Sequence, residues 1–308
     1  MWFKNLFFYR FTKPVDFDLD SLENALDQNR FKPCNGQEPQ SLGWDSPIDK
    51  DGAPLIHVCD RYWMLCLKKQ ERILPATVVN EQVSIKANQI EAEQHRKVTR
   101  KEKAEMKELV TQDLLPRAFT KTVRHFAYIC KTGGYMVLNT SSPNLADELT
   151  SFLRNSIGSL PVRVPSVNSA PSAIMTSWLA EEAHPPTGFV LNEESELESA
   201  GEDKASVKYK GMALGKEHIE QNKALGFQVK KQAITWEEKM SFVLGDDLSV
   251  KRVKFLDVMQ DKLDDTSAED AAEKFDAGFA IMALEVDQLL PALLNAFDGE
   301  DTSAIIEQ

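Results

Sequence analysis

The sequence predicts an α+β protein: antiparallel sheets with inserted helical arms. Three observations predict it. Short apolar runs come in pairs joined by turn residues. Helical patterns separate these pairs instead of alternating with single strands. Apolar residues fill 42% of 308 positions, enough for a substantial core.

The elements follow in order. Residues 2–12 are aromatic-rich and read as a strand, and Asp18 to Leu26 as a short helix with acids in its first turn. The Pro/Gly-rich stretch 33–54 reads as loop. Residues 55–59 and 62–69 form strands around Asp60-Arg61, and Pro75 ends that unit. Residues 77–115 contain no glycine or proline and read as one helix. Residues 122–131 and 134–140 flank Thr132-Gly133 as a second hairpin. A helix opens at Ser142-Pro143 and stops at Gly158. Residues 173–183 read as a short helix, 189–203 as an exposed acidic segment, and 216–225 as a helix stopped by Gly226. Strands follow at about 227–236, 239–244 and 250–256, then a helix over about 268–296, interrupted near Pro291. Three regions result: a central sheet from 1–75, 121–170 and 227–262; a helical arm or gate from 76–120 and 171–226; and a C-terminal helical region, 263–308.

Charge is segregated. The chain has 36 basic and 48 acidic side chains, net −12, yet residues 61–131 carry 15 basic and 8 acidic (+7), and 204–254 carry 11 and 6 (+5). Two basic blocks in an acidic chain can build one positive surface while the rest repels polyanions. Cys34, Cys59, Cys66 and Cys130 include no C-x-x-C pair, which excludes zinc-ribbon and thioredoxin-type motifs and fits a reduced cytosolic protein with buried thiols. No run of 18 apolar residues suggests a membrane span, and the apolar start is broken by Lys4 and Arg10.

The first basic block holds the most informative pattern. On a continuous helix, with roughly 100° per residue, Arg96, Arg100, Lys103 and Lys107 share one stripe, and Val98, Met106 and Leu109 lie opposite. Lys97 and Lys101 belong to the same basic run. A phosphate backbone rewards such a stripe through counterion release; a solvated helix face is the alternative. The second block, including Lys208, Lys210, Lys216, Lys231, Lys251 and Arg252, is lysine-rich. Lysine suits phosphate contact more than base reading, so the expected binding is non-specific. Trp236, Phe242 and Phe255 could stack bases but read first as core.

Catalytic signals are weak. There is no Walker loop, dinucleotide fingerprint, H-E-x-x-H or G-x-S-x-G, and the five histidines are scattered. Glu237-Glu238-Lys239 resembles the E-x-K end of metal-dependent nucleases, and Gly245-Asp246-Asp247 resembles paired polymerase aspartates, but each is three residues long. No enzyme activity, cofactor or metal is expected.

An ordered set of segments is more specific: Trp2-Phe3-Lys4-Asn5-Leu6, Phe31-Lys32-Pro33-Cys34, Gly43-Trp44, Lys69-Gln70-Glu71-Arg72-Ile73-Leu74-Pro75, Glu91-Ala92-Glu93-Gln94, Leu114-Leu115-Pro116-Arg117-Ala118-Phe119, Leu153 to Pro161, and Leu248 to Phe255. In order and spacing, from residue 2 to about 298, it resembles the recombination-associated protein RdgC family. The resemblance implies a ring-shaped homodimer around duplex DNA and contact with single-stranded DNA as well. It also implies antagonism of RecA, no catalysis, and a nucleoid-associated cytoplasmic location. It assigns Phe119 to a contact that closes the ring. Opposite, where the family has a lysine–glutamine pair, this chain has Lys210, Gly211 and Met212, without the glutamine. The proposed DNA wall is Arg96, Lys97, Arg100, Lys101, Lys103 and Lys107, with Lys208, Lys210 and Lys216.

Overall fold

The computed structural model describes residues 1–14, 17–48, 50, 52–201, 204–212, 214–266 and 271–303. The elements, in chain order, are β1 (Asn5–Phe11), α1 (Leu19–Gln28), β2 (Gln40–Asp45), β3 (Ile56–Cys59), β4 (Tyr62–Ile73), α2 (Ala76–Gln94) and α3 (Arg100–Leu114). A 3₁₀ turn (Leu115–Arg117), β5 (Phe119–Cys130), β6 (Tyr135–Leu138), α4 (Pro143–Ile157), β7 (Val162–Arg163), α5 (Pro171–Leu179), β8 (Phe189–Ser199) and β9 (Ser206–Lys210) follow. The chain continues through α6 (Lys216–Ala224), β10 (Phe227–Trp236), β11 (Met240–Gly245), β12 (Val250–Phe255), α7 (Asp257–Asp264) and α8 (Ala271–Asn295). The α+β class is as expected.

Among the described residues, the strands form one sheet in the order β2-β4-β5-β6-β1-β12-β11-β10-β8-β9; β3 also pairs with β4, and β7 with β1. The pairings between these strands are antiparallel. β1 joins the two halves: Asn5 and Leu6 pair with β12, while Phe7 to Arg10 pair with β6. Its aromatic run is explained by burial on both faces. Leu6 and Phe8 enter one core, and Phe7, Tyr9 and Phe11 enter the other.

The first core lies beneath α8 and α5 and includes Phe279, Met282, Val286, Leu289, Met175 and Trp178. By length and composition α8 could cross a membrane. Here ten of its residues, from Gly278 to Leu294, are buried. The second core lies under α1 and α4, around Trp44, Leu22, Leu26, Leu149 and Leu153. Pro291 lies inside α8, which runs on to Asn295 instead of breaking there. Residues 268–270, where that helix was expected to begin, lie outside the described residues.

Four further expectations need correction. The 33–54 stretch is not all loop: β2 pairs with β4 there. Its glycine hides the strand. Phe31 passes so close that a Cβ on Gly43 would collide with its backbone. Residues 189–199 form β8, an inner strand between β10 and β9, not an exposed acidic segment; residues 202–203 lie outside the described residues. The segment 171–226 therefore supplies two sheet strands as well as α5 and α6. Finally, 77–115 is two helices. His95 takes a left-handed conformation (φ 50°), and Thr99 starts a new helix. α2 and α3 pack as a hairpin around Val79, Val83 and Val110. This hairpin stands at the end of the long β4–β5 ribbon, whose last pair is Ile73–Phe119. Arg72 ties its base down, donating from Nη1 to the Leu115 carbonyl oxygen at 3.0 Å.

Candidate nucleic-acid interface

The break before α3 rearranges the expected stripe. Thr99 and Glu102 form a capping box, each side chain accepting from the other's backbone N–H, so the helix begins at Arg100. Arg96 is thereby left in the connection, outside the stripe. Its guanidinium grips Glu102 through two hydrogen bonds of 3.0 and 2.7 Å. The Arg96 hydrogen bond and those from Thr99 hold the Glu102 carboxyl down at about 2. Lys97 pairs with Glu91 at 3.1 Å. Both cations are partly neutralised before any partner arrives. Glu102, which interrupts the apolar face of a continuous helix, is explained by this capping role.

Arg100, Lys101, Lys103 and Lys107 remain on α3. All four are exposed, and no carboxylate lies within ion-pair reach of them among the described residues. Arg100, Lys103 and Lys107 still share a face, since residues three and four apart adjoin on a helix. Met106 and Val110 enter the hairpin core; Val110 lies seven residues after Lys103, so the buried side borders this face, and Leu109, expected opposite the cations, is 59% exposed.

The second basic block gathers elsewhere. An open cleft of about 330 Å³ lies against β8, β9, β10, β11 and β12. Its lining includes Lys208, Lys210, Lys231, Lys251 and Arg252, with Glu194 and Glu196. Five cations against two carboxylates leave a local surplus of three positive charges. Glu196 lies between Lys231 at 3.0 Å and Lys208 at 3.4 Å. Burial alone would raise its pKa, but these two ammonium groups hold the carboxyl below its ordinary value. Arg252 pairs with Glu194 at 2.5 Å.

Of the residues expected at the wall, Lys208 and Lys210 line this cleft. Lys216 is not in its lining; it is exposed on the first turn of α6. Lys231, Lys251 and Arg252 join the cleft; simple strand alternation pairs Arg252 with Lys254 on one face, whereas here Arg252 lines the cleft with Lys251. Strand register is the signal that picks them out. Val250, Val253 and Phe255 all enter the core, which leaves Lys251, Arg252 and Lys254 on the other side. Trp236, Phe242 and Phe255 are core residues and offer no ring for stacking.

Phe119 is 86% exposed at the ribbon tip, the most exposed of the large apolar side chains described. Ile73, its cross-strand partner, is 49% exposed. Met212 is also exposed, beside Gly211 in a left-handed turn (φ 68°).

The two short catalytic resemblances have structural partners. Glu237 and Glu238, both with positive φ, make the tight turn between β10 and β11. Lys239 donates to buried Glu285 at 3.0 Å. Asp246 pairs with Lys230 at 2.9 Å, and Asp247 accepts from the Ser249 backbone N–H at 3.1 Å. Among the described residues no group of three or more His, Cys, Asp or Glu side chains is placed to hold a metal. All four cysteines are free; Cys66 and Cys130 are buried, Cys34 and Cys59 half-buried.

Comparison with known proteins gives one consistent answer. Residues 1–300 match the family model described as "Putative exonuclease, RdgC". A recombination-associated protein RdgC from Psychromonas ingrahamii is 40% identical over 302 residues, covering 98% of this chain and 100% of that one. Its counterpart from Aeromonas hydrophila is 41% identical over 303 residues, with the same coverage. That from Pseudomonas fluorescens is 40% identical over 303 residues, covering 98% and 99%. Identity at this level, over essentially the full length of each relative, means that this chain belongs to the RdgC family of recombination-associated proteins.

Proposed function

We propose that this protein binds DNA without reading its sequence, as a homodimer closed into a ring around the duplex, and that its occupancy of DNA antagonises RecA. The observation that carries this reading is α3: four exposed cations with no ion-pair partner among the described residues, on a chain of net charge −12. Such cations release counterions when they meet phosphates. Lys208, Lys210 and the cleft around them add a second positive surface, and exposed Lys216 a further contact. Lysine dominates both surfaces, which favours backbone contact over base readout.

In this reading the α2–α3 hairpin is the arm that reaches toward the partner subunit. Phe119 at its base is the apolar closing contact, with Lys210, Gly211 and Met212 of the partner subunit opposite. A closed ring retains DNA topologically, so modest contact energy suffices, and the acidic remainder repels DNA from the outside. Single-stranded DNA fits the same charge surfaces, and an association with the nucleoid follows from binding of this kind.

Filter binding on unrelated duplexes over a salt series, with sedimentation of the free protein, tests the reading. Equal affinities, a steep salt slope and a dimer are expected. A strong preference for one sequence, or a monomer at all concentrations, would overturn it. The description of the matched family keeps exonuclease activity as a second reading. Incubation of linear and nicked duplex with Mg²⁺ or Mn²⁺ distinguishes them: shortened strands would favour it.

A further inference from the structure

The cleft is built with more care than a wall of diffuse charge requires. Its cavity of about 330 Å³ is in the size range of small-ligand sites and cannot admit a double helix. Three irregularities in strand pairing surround it. Two lie between β10 and β8, at Val229/Lys231 and at Gln232/Ile234; the third lies between β11 and β12, at Ser241/Val243. Bulges of this kind re-aim side chains and are frequent beside functional sites. Here the last one turns Lys251 and Arg252 to the same side.

Arg252 adopts a left-handed backbone (φ 55°), an uncommon and strained state for a residue other than glycine. Its N–H donates to Asn5 Oδ1 at 3.2 Å, which holds the conformation. The floor is fixed as well. Fully buried Gln232 accepts from Ser195 Oγ at 2.5 Å and donates to the Asn192 carbonyl oxygen at 2.9 Å.

We propose that this cleft is a discrete binding site for a linear oligophosphate, either a free polyphosphate chain or the triphosphate of a nucleotide. The cations are spread over three strands, β9, β10 and β12, so a row of linked charges engages more of them than a single phosphate can. Lys210 and Lys251 form no ion pair among the described residues, although Asp247 lies near enough to Lys251 to feel its charge. Lys208, Lys231 and Arg252 are held in place by Glu196 and Glu194, which the ligand must displace. That competition selects ligands of high charge density over monoanions. The inference goes beyond DNA binding and stands or falls separately from it.

Calorimetric titration of the full chain with tripolyphosphate, ATP and orthophosphate, at matched physiological ionic strength, tests it. Tripolyphosphate and ATP are expected to bind saturably, at least about tenfold tighter than orthophosphate. Lys231→Ala/Lys251→Ala should weaken tripolyphosphate by about tenfold or more, and Glu196→Gln should tighten it. Lys13→Ala/Lys32→Ala removes the same net charge from exposed sites outside the cleft and should change nothing; circular dichroism checks that each variant is folded. Tripolyphosphate binding no tighter than orthophosphate would overturn the proposal. So would equal losses in the two double variants, or a cleft variant impaired on duplex DNA alone. Tight tripolyphosphate binding by a protein that fails to bind DNA would uphold this site and refute the DNA reading.

Discussion

Replacing Lys103 and Lys107 by alanine should change how DNA affinity depends on salt, and the size of the change follows from α3. Both side chains are exposed, and neither has a carboxylate in ion-pair reach among the described residues. Each is therefore free to meet a phosphate. From Arg100 to Lys107 the helix rises about 10 Å. Phosphates on one strand recur about every 3.4 Å along a duplex, so the row spans roughly three of them. Losing two contacts should flatten the slope of log affinity against log salt by about 1.8, from about 0.9 per phosphate. Between 50 and 200 mM salt, a fourfold range, the gap between wild type and variant should then shrink by about twelvefold. Fluorescence anisotropy on two unrelated duplexes over that range measures it. Parallel lines for the two proteins would refute the reasoning, because they would mean that neither lysine displaces a counterion. Arg96→Ala supplies an internal contrast. Its guanidinium already neutralises Glu102, so its removal should alter the slope less.

Other consequences can be measured independently. Phe119→Ala should leave thermal unfolding of the subunit within the usual small range for surface changes, about 0.5 kcal/mol, because the ring is 86% exposed. It should weaken self-association in sedimentation velocity and retention on circular DNA. Thr99→Ala should cost about 1 kcal/mol of local stability, read as faster amide exchange confined to α3. Glu285→Gln should destabilise the fold by about 2 kcal/mol at neutral pH, from the lost bond to Lys239, with little added for Lys262, which is 47% exposed. The sign of its pH dependence follows from the carboxyl. Burial alone would raise its pKa, but hydrogen bonds from Lys262 and Lys239 hold it below the ordinary 4.5. A depressed pKa contributes stability above the unfolded value, which is lost as pH falls through the folded one. The wild-type advantage over Glu285→Gln in urea titrations should therefore narrow below pH 4.5; an advantage that grows on acidification would contradict the assignment.

The sheet was legible because most of its strands are linked by tight turns that leave local marks. Asp60-Arg61, Thr132-Gly133 and the Gly245 turn each divide two apolar runs. β1 was legible for another reason: burial on both faces demands an almost unbroken apolar run. β2 and β8 were not legible, and the causes differ. In β2 the Gly43 that looks like loop chemistry is required by the passing Phe31 backbone. In β8 the glutamates that look solvated face lysines on adjacent strands, so their charge is answered across the sheet. Neither fact is local in sequence.

The candidate interface shows the same divide. The composition of 96–107 reveals a concentration of cations, but not which of them are free. Three residues decide that: Thr99 and Glu102 start the helix, and Glu102 and Glu91 then take Arg96 and Lys97. The T-x-x-E signature stands in the sequence at Thr99, but a run without glycine or proline reads as one helix unless that cap is looked for. A residue can end a helix without either; His95 does so by adopting a left-handed backbone. Cutting the helix there shortens the row of free cations from four to three on one face, while folding it back on α2 buries Val110 against Val79 and Val83. The apolar side of α3 is thereby used within the subunit. Arg100, Lys103 and Lys107 stay exposed beside it with no ion pair among the described residues, an arrangement that suits a polyanion outside the chain.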